Sequence, residues 1–177
     1  MLLPPRGKGL EIGVGTGRFA VPLGIRHGVE PARAMRRVAQ ARGIEVVDAV
    51  AEALPYPAET FDFAPMVTTV CFLDDVATAF REAKRVLRLG GALVVGLVDR
   101  VSPLGQAYEQ QKADSVFYRG ARFRSAAEVA ALMQAAGFEG LTFRKTLFGD
   151  PAAMEATVPV LEGRGEGGFV VIRGTKR

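Results

Sequence analysis

The chain of 177 residues contains no tryptophan and no asparagine, one histidine and one cysteine. With Cys71 alone, no intrachain disulfide can form and no cysteine-based metal cage can be built, so no metal site is expected and a reducing compartment fits. Long apolar runs are also missing. The longest, Ala92 to Val98, falls far short of the roughly 18 residues of a membrane span, and the opening MLLPPRGKG has no apolar signal region. The chain is therefore expected in the cytoplasm, with no membrane partner. No charge block or low-complexity tract interrupts it, and 49% hydrophobic with 24% charged residues is a globular composition. The length suits one domain, 1–177, large enough for a sheet with helices on both faces. Arginine outnumbers lysine, and the absence of thermolabile asparagine fits a thermophilic or GC-rich source.

The net charge of +4 raises the question of a nucleic-acid partner. The basic residues are dispersed over Arg33-Arg36-Arg37, Lys84-Arg85-Arg88, Arg119-Arg122-Arg124 and Lys176-Arg177. Helical solvent faces account for the first two groups, so nucleic acid is not the expected partner.

What the sequence does have is LEIGVGTGRF, Leu10 to Phe19, an apolar run feeding into Gly13, Gly15 and Gly17. Glycine belongs there if the backbone needs positive φ or if a ligand must approach it closely. A dinucleotide fingerprint would need its third glycine at Arg18, and the only Gly-Lys pair, Gly7-Lys8, lacks the flanking residues of a P-loop. Glu30 follows Gly13 by 17 residues and closes a second strand, where a carboxylate can accept both hydroxyls of a ribose. That supports a nucleoside cofactor without choosing one.

Along the chain, strands are expected at Gly9 to Gly13, Ile25 to Glu30, Glu45 to Val50, Phe61 to Cys71, Ala92 to Val98, Leu141 to Leu147 and Gly168 to Arg173. Helices are expected over Thr16 to Leu23, Ala32 to Arg42, from Asp74 or Asp75 to Gly90-Gly91, from a Ser102-Pro103 cap to Asp114, and from a Ser125/Glu128 capping box to Gly137. Such alternation argues for a parallel sheet between helical layers. The last two strands are joined only by a Gly-, Pro- and Glu-rich loop, so the final one should enter antiparallel.

LEIGVGTGRF resembles the first motif of class I S-adenosylmethionine-dependent methyltransferases of the type 11 kind, with Glu11 as its acidic residue. Later segments resemble the same family in the same order. Ala49 to Tyr56 is similar to the third-strand segment Gly-Asp-Ala-Glu-x-Leu-Pro-Phe, and Arg81 to Gly91 to L-x-E-x-x-R-V-L-[KR]-P-G-G. The chain is also similar to small, thermophile-type members of unknown substrate. The resemblance implies a Rossmann-like three-layer α/β sandwich whose mostly parallel seven-stranded sheet has the order 3-2-1-4-5-7-6. It implies S-adenosylmethionine as cofactor, with Glu11, Gly13, Gly15, Thr16, Gly17, Glu30, Pro31, Ala51, Glu52 and Thr68 as its contacts. One departure stands out: Val50 replaces the family's aspartate at the adenine amino group, leaving apolar packing and the Ala51 backbone N–H.

The reaction implied is in-line methyl transfer to a small-molecule acceptor, at oxygen or nitrogen ahead of carbon. A non-catalytic cofactor-binding module and an RNA methyltransferase are the alternatives. No [Asn/Asp]-Pro-Pro-[Tyr/Phe] follows the fourth strand, which counts against methylation of nucleobase amino groups. Asp99 is the best-placed candidate base, although helix capping is the stronger reading of it. His27 and Cys71 read as structural. Acceptor recognition is assigned to residues 100–124, with Tyr108, Tyr118, Arg119 and Arg122. The sequence opens on the first strand without the family's N-terminal helix, so closure of the site is expected from residues 100–124 or from a second copy of the chain in a homodimer.

Overall fold

The computed structural model describes residues 7–148, 159–163, 165 and 167–177. Three short parallel strands open it: β1 (Leu10–Ile12), β2 (His27–Val29) and β3 (Glu45–Val47), with Glu11 opposite Gly28 and Gly28 opposite Val46. β4 (Phe61–Val67) pairs in parallel with β5 (Leu87–Val98). Of the remaining strands, β6 (Phe138–Thr146) carries a two-residue edge, β7 (Leu161–Glu162), and β8 (Phe169–Lys176) lies antiparallel between β5 and β6. The final strand thus enters antiparallel, as its loop connection requires. Most of that loop lies outside the described residues.

A single seven-stranded sheet in the order 3-2-1-4-5-7-6 does not form. There are two sheets, β1-β2-β3 and β4-β5-β8-β6-β7, which meet at an isolated parallel bridge between Gly9 and Phe63. β1 is only three residues long, and Pro65 in β4 has no N–H to give a ladder. The Phe63 ring fills the space beside Gly9, its Cζ 2.5 Å from where a Cβ would stand.

The helices are α1 (Arg33–Ala41), α2 (Val76–Val86), α3 (Pro103–Gln111) and α4 (Ala126–Ala135). Asp75 caps α2, its carboxylate accepting from the Thr78 N–H at 3.0 Å, and Ser125 with Glu128 forms the expected capping box on α4. The helix expected at 16–23 is a run of turns instead. Val21 and Leu23 donate to the carbonyls of Gly17 and Phe19, but Pro22 between them has no N–H, so consecutive helical bonds cannot form. α2 ends at Val86 rather than at Gly90-Gly91, because Leu87 turns extended (ψ 142°) and those glycines join β5 at a register shift against β4. β4 likewise stops at Val67, and Val70–Phe72 forms a 3-10 turn. α3 gives way to another such turn, Lys112–Asp114.

Alternation along the strands separates two faces of the larger sheet. Ala64 and Met66 of β4, Leu93 and Val95 of β5, and Val170 and Ile172 of β8 pack with Phe80 of α2 and Met133 of α4 in the main core. On the other face a smaller cluster, Val14, Ala20, Ile25, Ala39, Ile44 and Phe63, joins α1 to the strands nearby. Farther along that face, Pro65, Val67, Val94, Gly96, Phe169 and Val171 line a groove of about 370 Å³. Helices therefore cover one face fully and the other only in part among the described residues. No described helix is long and apolar enough to cross a membrane.

Candidate functional site

β1 ends in the glycine turn. The N–H groups of Gly13 and Val14 both donate to the Val29 carbonyl at the end of β2, at 2.9 and 3.0 Å, which folds the turn over the strand ends. Gly13 has φ 71°, and a Cβ there would collide with Thr69. Gly15 has φ 54° and faces open space, the nearest atom to a Cβ being Met35 Sδ at 4.0 Å. One glycine permits the turn to pack on β4 and the other leaves a bare backbone for a ligand. Gly17 also has positive φ, and the Thr16 carbonyl accepts from Arg42 at 2.9 Å.

Glu30 stands beside this turn, almost fully buried. Its Oε2 accepts from the Gly15 N–H and its Oε1 from the Ala32 N–H, both at 2.9 Å. Arg36 fixes the backbone below by donating to the carbonyls of Glu30 and Pro31, at 2.8 and 2.6 Å, while pairing with Asp48. A carboxylate has about four lone-pair sites, so Glu30 keeps acceptor capacity toward the space over Gly15.

Glu11 points into the protein, 1% exposed, and its Oε2 has no hydrogen-bond partner. Burial pushes its carboxyl up to about 8, against a smaller opposing effect from a hydrogen bond with the Ala20 backbone. Neutral at physiological pH, it braces the turn after the glycines from below. Ala51 is buried in the main core, whereas Val50 is half exposed. Glu52 turns away, its Oε1 accepting from the N–H groups of Asp74 and Asp75 at 3.1 and 3.2 Å.

Beyond β4 the chain makes an unusual turn: Thr68 has φ 54°, a left-handed conformation that a β-branched residue rarely adopts. Its N–H donates to Gly96 and its hydroxyl to Val67, while the neighbouring Thr69 hydroxyl donates to the Gly13 carbonyl at 3.3 Å. These bonds tie the end of β4 to the glycine turn. Thr68, Val70, Cys71, Leu97, Val98, Tyr118, Phe123 and Arg124 enclose a small cavity of about 10 Å³ beside it.

From residues 100–124, Tyr118, Phe123 and Arg124 form one wall of that cavity. Tyr108, Tyr118 and Phe123 pack on one another with centroids 5.3 to 6.0 Å apart, over Cys71 and Ala121. Phe72, 48% exposed, stacks near-parallel on Tyr118 at 6.1 Å. The Arg122 N–H donates to the Cys71 carbonyl at 2.7 Å, so this segment is anchored on the end of β4. The side chains of Arg119 and Arg122 are exposed. Burial raises the Cys71 thiol to about 11 and also raises Tyr118, the latter helped by Tyr108 and Cys71, so neither is a ready nucleophile or base.

Asp99 is buried, and its Oδ1 accepts from the Val101 and Ala126 N–H groups at 3.2 and 3.3 Å. It holds the chain just ahead of the Ser102 cap of α3 and the first residue of α4. His27 pairs with Glu45 at 3.1 Å on β2, away from the cavity. Gly13, Gly15 and Glu30 thus meet at the glycine turn, Thr69 ties that turn to the end of β4, and Thr68 and Tyr118 line the small cavity there. Thr69, Phe72 and Arg124 lie beside them, the first two just after β4 and Arg124 at the end of the segment 100–124 expected to recognise the acceptor. Arg124 immediately precedes the Ser125 cap, which fixes it at the carboxyl end of β5.

A methyltransferase domain family matches residues 10–95. The chain is 56% identical to a Thermotoga maritima protein of known crystal structure whose description reads "SAM-dependent methyltransferase, possible histamine N-methyltransferase". That match covers 99% of this chain and 84% of the other, with a TM-score of 0.96. It is 44% identical over 172 residues to the uncharacterized protein MJ1123 of Methanocaldococcus jannaschii, covering 97% of this chain and 83% of that protein. A demethylmenaquinone methyltransferase of Roseiflexus castenholzii is 38% identical over 102 residues, 51% of this chain and 42% of that enzyme. Against its mycobacterial relatives the chain spans 50% of their length.

Proposed function

We propose that this chain, which belongs to the S-adenosylmethionine-dependent methyltransferases, transfers a methyl group in line to an oxygen or nitrogen of a small-molecule acceptor. S-adenosylmethionine is the cofactor of the family. The residues fit it: Gly15 offers a bare backbone, Glu30 has spare acceptor capacity for ribose hydroxyls, and the Ala51 N–H is assigned to the adenine ring by its motif position. Val50 cannot hydrogen-bond the adenine amino group, so that end relies on apolar packing. When bound, the cofactor supplies an electrophilic methyl carbon whose bond to sulfur breaks as the acceptor's lone pair forms the new one, leaving a neutral thioether.

The chain's own residues align and shelter. Thr69 links Gly13 to the end of β4, and Thr68, next in the chain, opens the cavity walled by Tyr118 and Phe123. This adjacency of cradle and cavity is the observation that carries the reading, because in-line transfer needs donor and acceptor held in contact away from water. No side chain here is set up as a strong base. An acceptor hydroxyl or ammonium would release its proton to water before or during transfer.

A quinone acceptor is the second reading, favoured by the demethylmenaquinone methyltransferase among the relatives. The test is incubation of the purified chain with methyl-labelled S-adenosylmethionine and separate pools of amines including histamine, hydroxylated and carboxylated metabolites, quinones and RNA. Label in a low-mass O- or N-methyl product supports the proposal. Label in a quinone or in RNA replaces the acceptor, and cofactor binding with no transfer to any pool identifies a binding module instead.

A further inference from the structure

The Nε of Arg124 is buried and has no hydrogen-bond partner, and the residue lines the cavity at the ends of β4 and β5. Arg124 as a whole is half-buried, but a guanidinium donor enclosed without a partner is unfavourable, so its missing partner calls for an explanation. Arg124 forms no ion pair among the described residues, although Glu109 Oε2 on the same segment is likewise buried without a partner. Asp99 Oδ1 is taken by two backbone N–H groups, and Glu128 accepts from the Ser125 N–H while pairing with Arg100 at 3.0 Å. By contrast, Arg36, Arg85, Arg88, Arg100 and Arg144 each pair with a carboxylate. Arg119 and Arg122, on the same segment, are exposed and form no ion pair among the described residues.

We infer that the methyl acceptor carries a carboxylate, and that Arg124 receives it. The inference rests on the methyltransferase reading above and supplies the acceptor's chemical class. Guanidinium presents Nε and one terminal nitrogen as a planar fork that matches two carboxylate oxygens, a geometry lysine cannot offer. The remaining walls, Val70, Leu97, Tyr118 and Phe123, are apolar or aromatic, so the group bearing the carboxylate is apolar too. With about 10 Å³ free, the cavity admits an oxygen atom and not a ring. The carboxylate therefore enters first, and the body of the acceptor stays between Arg124 and the Phe72–Tyr118 pair. A single water would also fill the cavity and satisfy Nε, and equal binding of charged and neutral probes would assign it that role. Arg119 and Arg122 would draw an anion toward the opening.

The experiment compares three probes of one size and different charge, benzoate, benzyl alcohol and benzylamine, by calorimetry on protein saturated with S-adenosylhomocysteine. Benzoate is expected to bind at least about tenfold tighter than the other two. Arg124→Met, which keeps the apolar stem, is expected to reduce benzoate to the level of benzyl alcohol with S-adenosylhomocysteine affinity unchanged. Arg124→Lys is expected to retain part of the preference, and serves should the methionine variant fail to fold. Equal binding of the probes, preference for benzylamine, absence of benzoate binding, or a preference surviving in Arg124→Met would each overturn the inference. Failure of S-adenosylhomocysteine itself to bind would overturn the cofactor reading as well, so the two failures are distinguishable.

Discussion

Around the glycine turn the polar groups answer one another: Glu30 accepts from Gly15 and Ala32, Arg36 holds the carbonyls of Glu30 and Pro31 and pairs with Asp48, and Thr69 reaches Gly13. Along residues 100–124 the aromatic rings are packed, but Arg119, Arg122 and Arg124 have no charged partner among the described residues, and Phe117 is 72% exposed. The first region has its polar groups held in place. The second pairs Arg100 with Glu128 and Lys112 with Glu109 but leaves three arginines without an ion pair among the described residues, an arrangement that the proposed acceptor would complete. Preorganisation reduces the ordering that binding would otherwise demand, and unpaired donors give discrimination among ligands because the wrong one leaves them unpaired.

The contrast breaks most sharply at Glu11. A carboxyl whose folded-state value is raised holds its proton more tightly when folded, so its contribution is complete below the unfolded value of 4.5 and disappears as pH rises toward about 8. Stability is expected to fall by on the order of 4 kcal/mol across that window. Glu11→Gln, neutral at every pH, is expected to remove the slope and to be the more stable protein at pH 8. Denaturant midpoints from pH 5 to 8 measure this, and a flat wild-type profile would contradict the buried neutral acid. Next in size is Glu30→Gln. An amide presents one carbonyl oxygen where the carboxylate serves two N–H groups, and its NH₂ would face one of those donors. S-adenosylhomocysteine affinity is expected to drop on the order of 100-fold, as for the loss of a charge-assisted hydrogen bond. Titration calorimetry checks it, and a change under about threefold would remove Glu30 from the ribose.

The more ordered region was also the more legible. Gly13, Gly15 and Glu30 are recognisable in sequence because positive φ and a strand-end carboxylate each demand particular residue types at fixed spacing. The capping residues Asp75, Ser102 and Ser125 were readable for the same reason, each accepting from a backbone N–H three residues on. The break between the two sheets was not, since it follows from how Phe63 packs against Gly9 across the fold. The short helix at 16–23 failed on one missing N–H at Pro22, a local rule outweighed by the expectation of a helix after the glycines. The sequence places Arg124 in the segment 100–124 but does not set it apart from Arg119 and Arg122, because an enclosed, unpaired Nε shows only once its neighbours are in place. Glu52 carries a second commitment that its motif position does not announce: its Oε1 holds the chain just before α2.

The smallest expected effect concerns whether the two regions are independent. Ser125 accepts from the Glu128 N–H at 3.2 Å, and Glu128 returns a bond to the Ser125 N–H at 2.6 Å. Ser125→Ala removes the first bond and leaves the second, along with the Ala126 N–H donation to Asp99. The helix should persist at a loss of about 1 kcal/mol, the usual value of an N-cap hydroxyl. Arg124 precedes the cap directly, so its guanidinium would lose part of its positioning, and binding of a carboxylate probe should weaken. The glycine turn shares no hydrogen bond with this cap among the described residues, and its affinity for S-adenosylhomocysteine should stay within about twofold. Paired measurements on Ser125→Ala, a urea midpoint and two calorimetric titrations, separate the outcomes. Should cofactor affinity fall together with stability, the acceptor wall would be part of the cofactor cradle, coupled through Thr68 and Thr69, and the division between a preorganised half and an incomplete half would have to be given up.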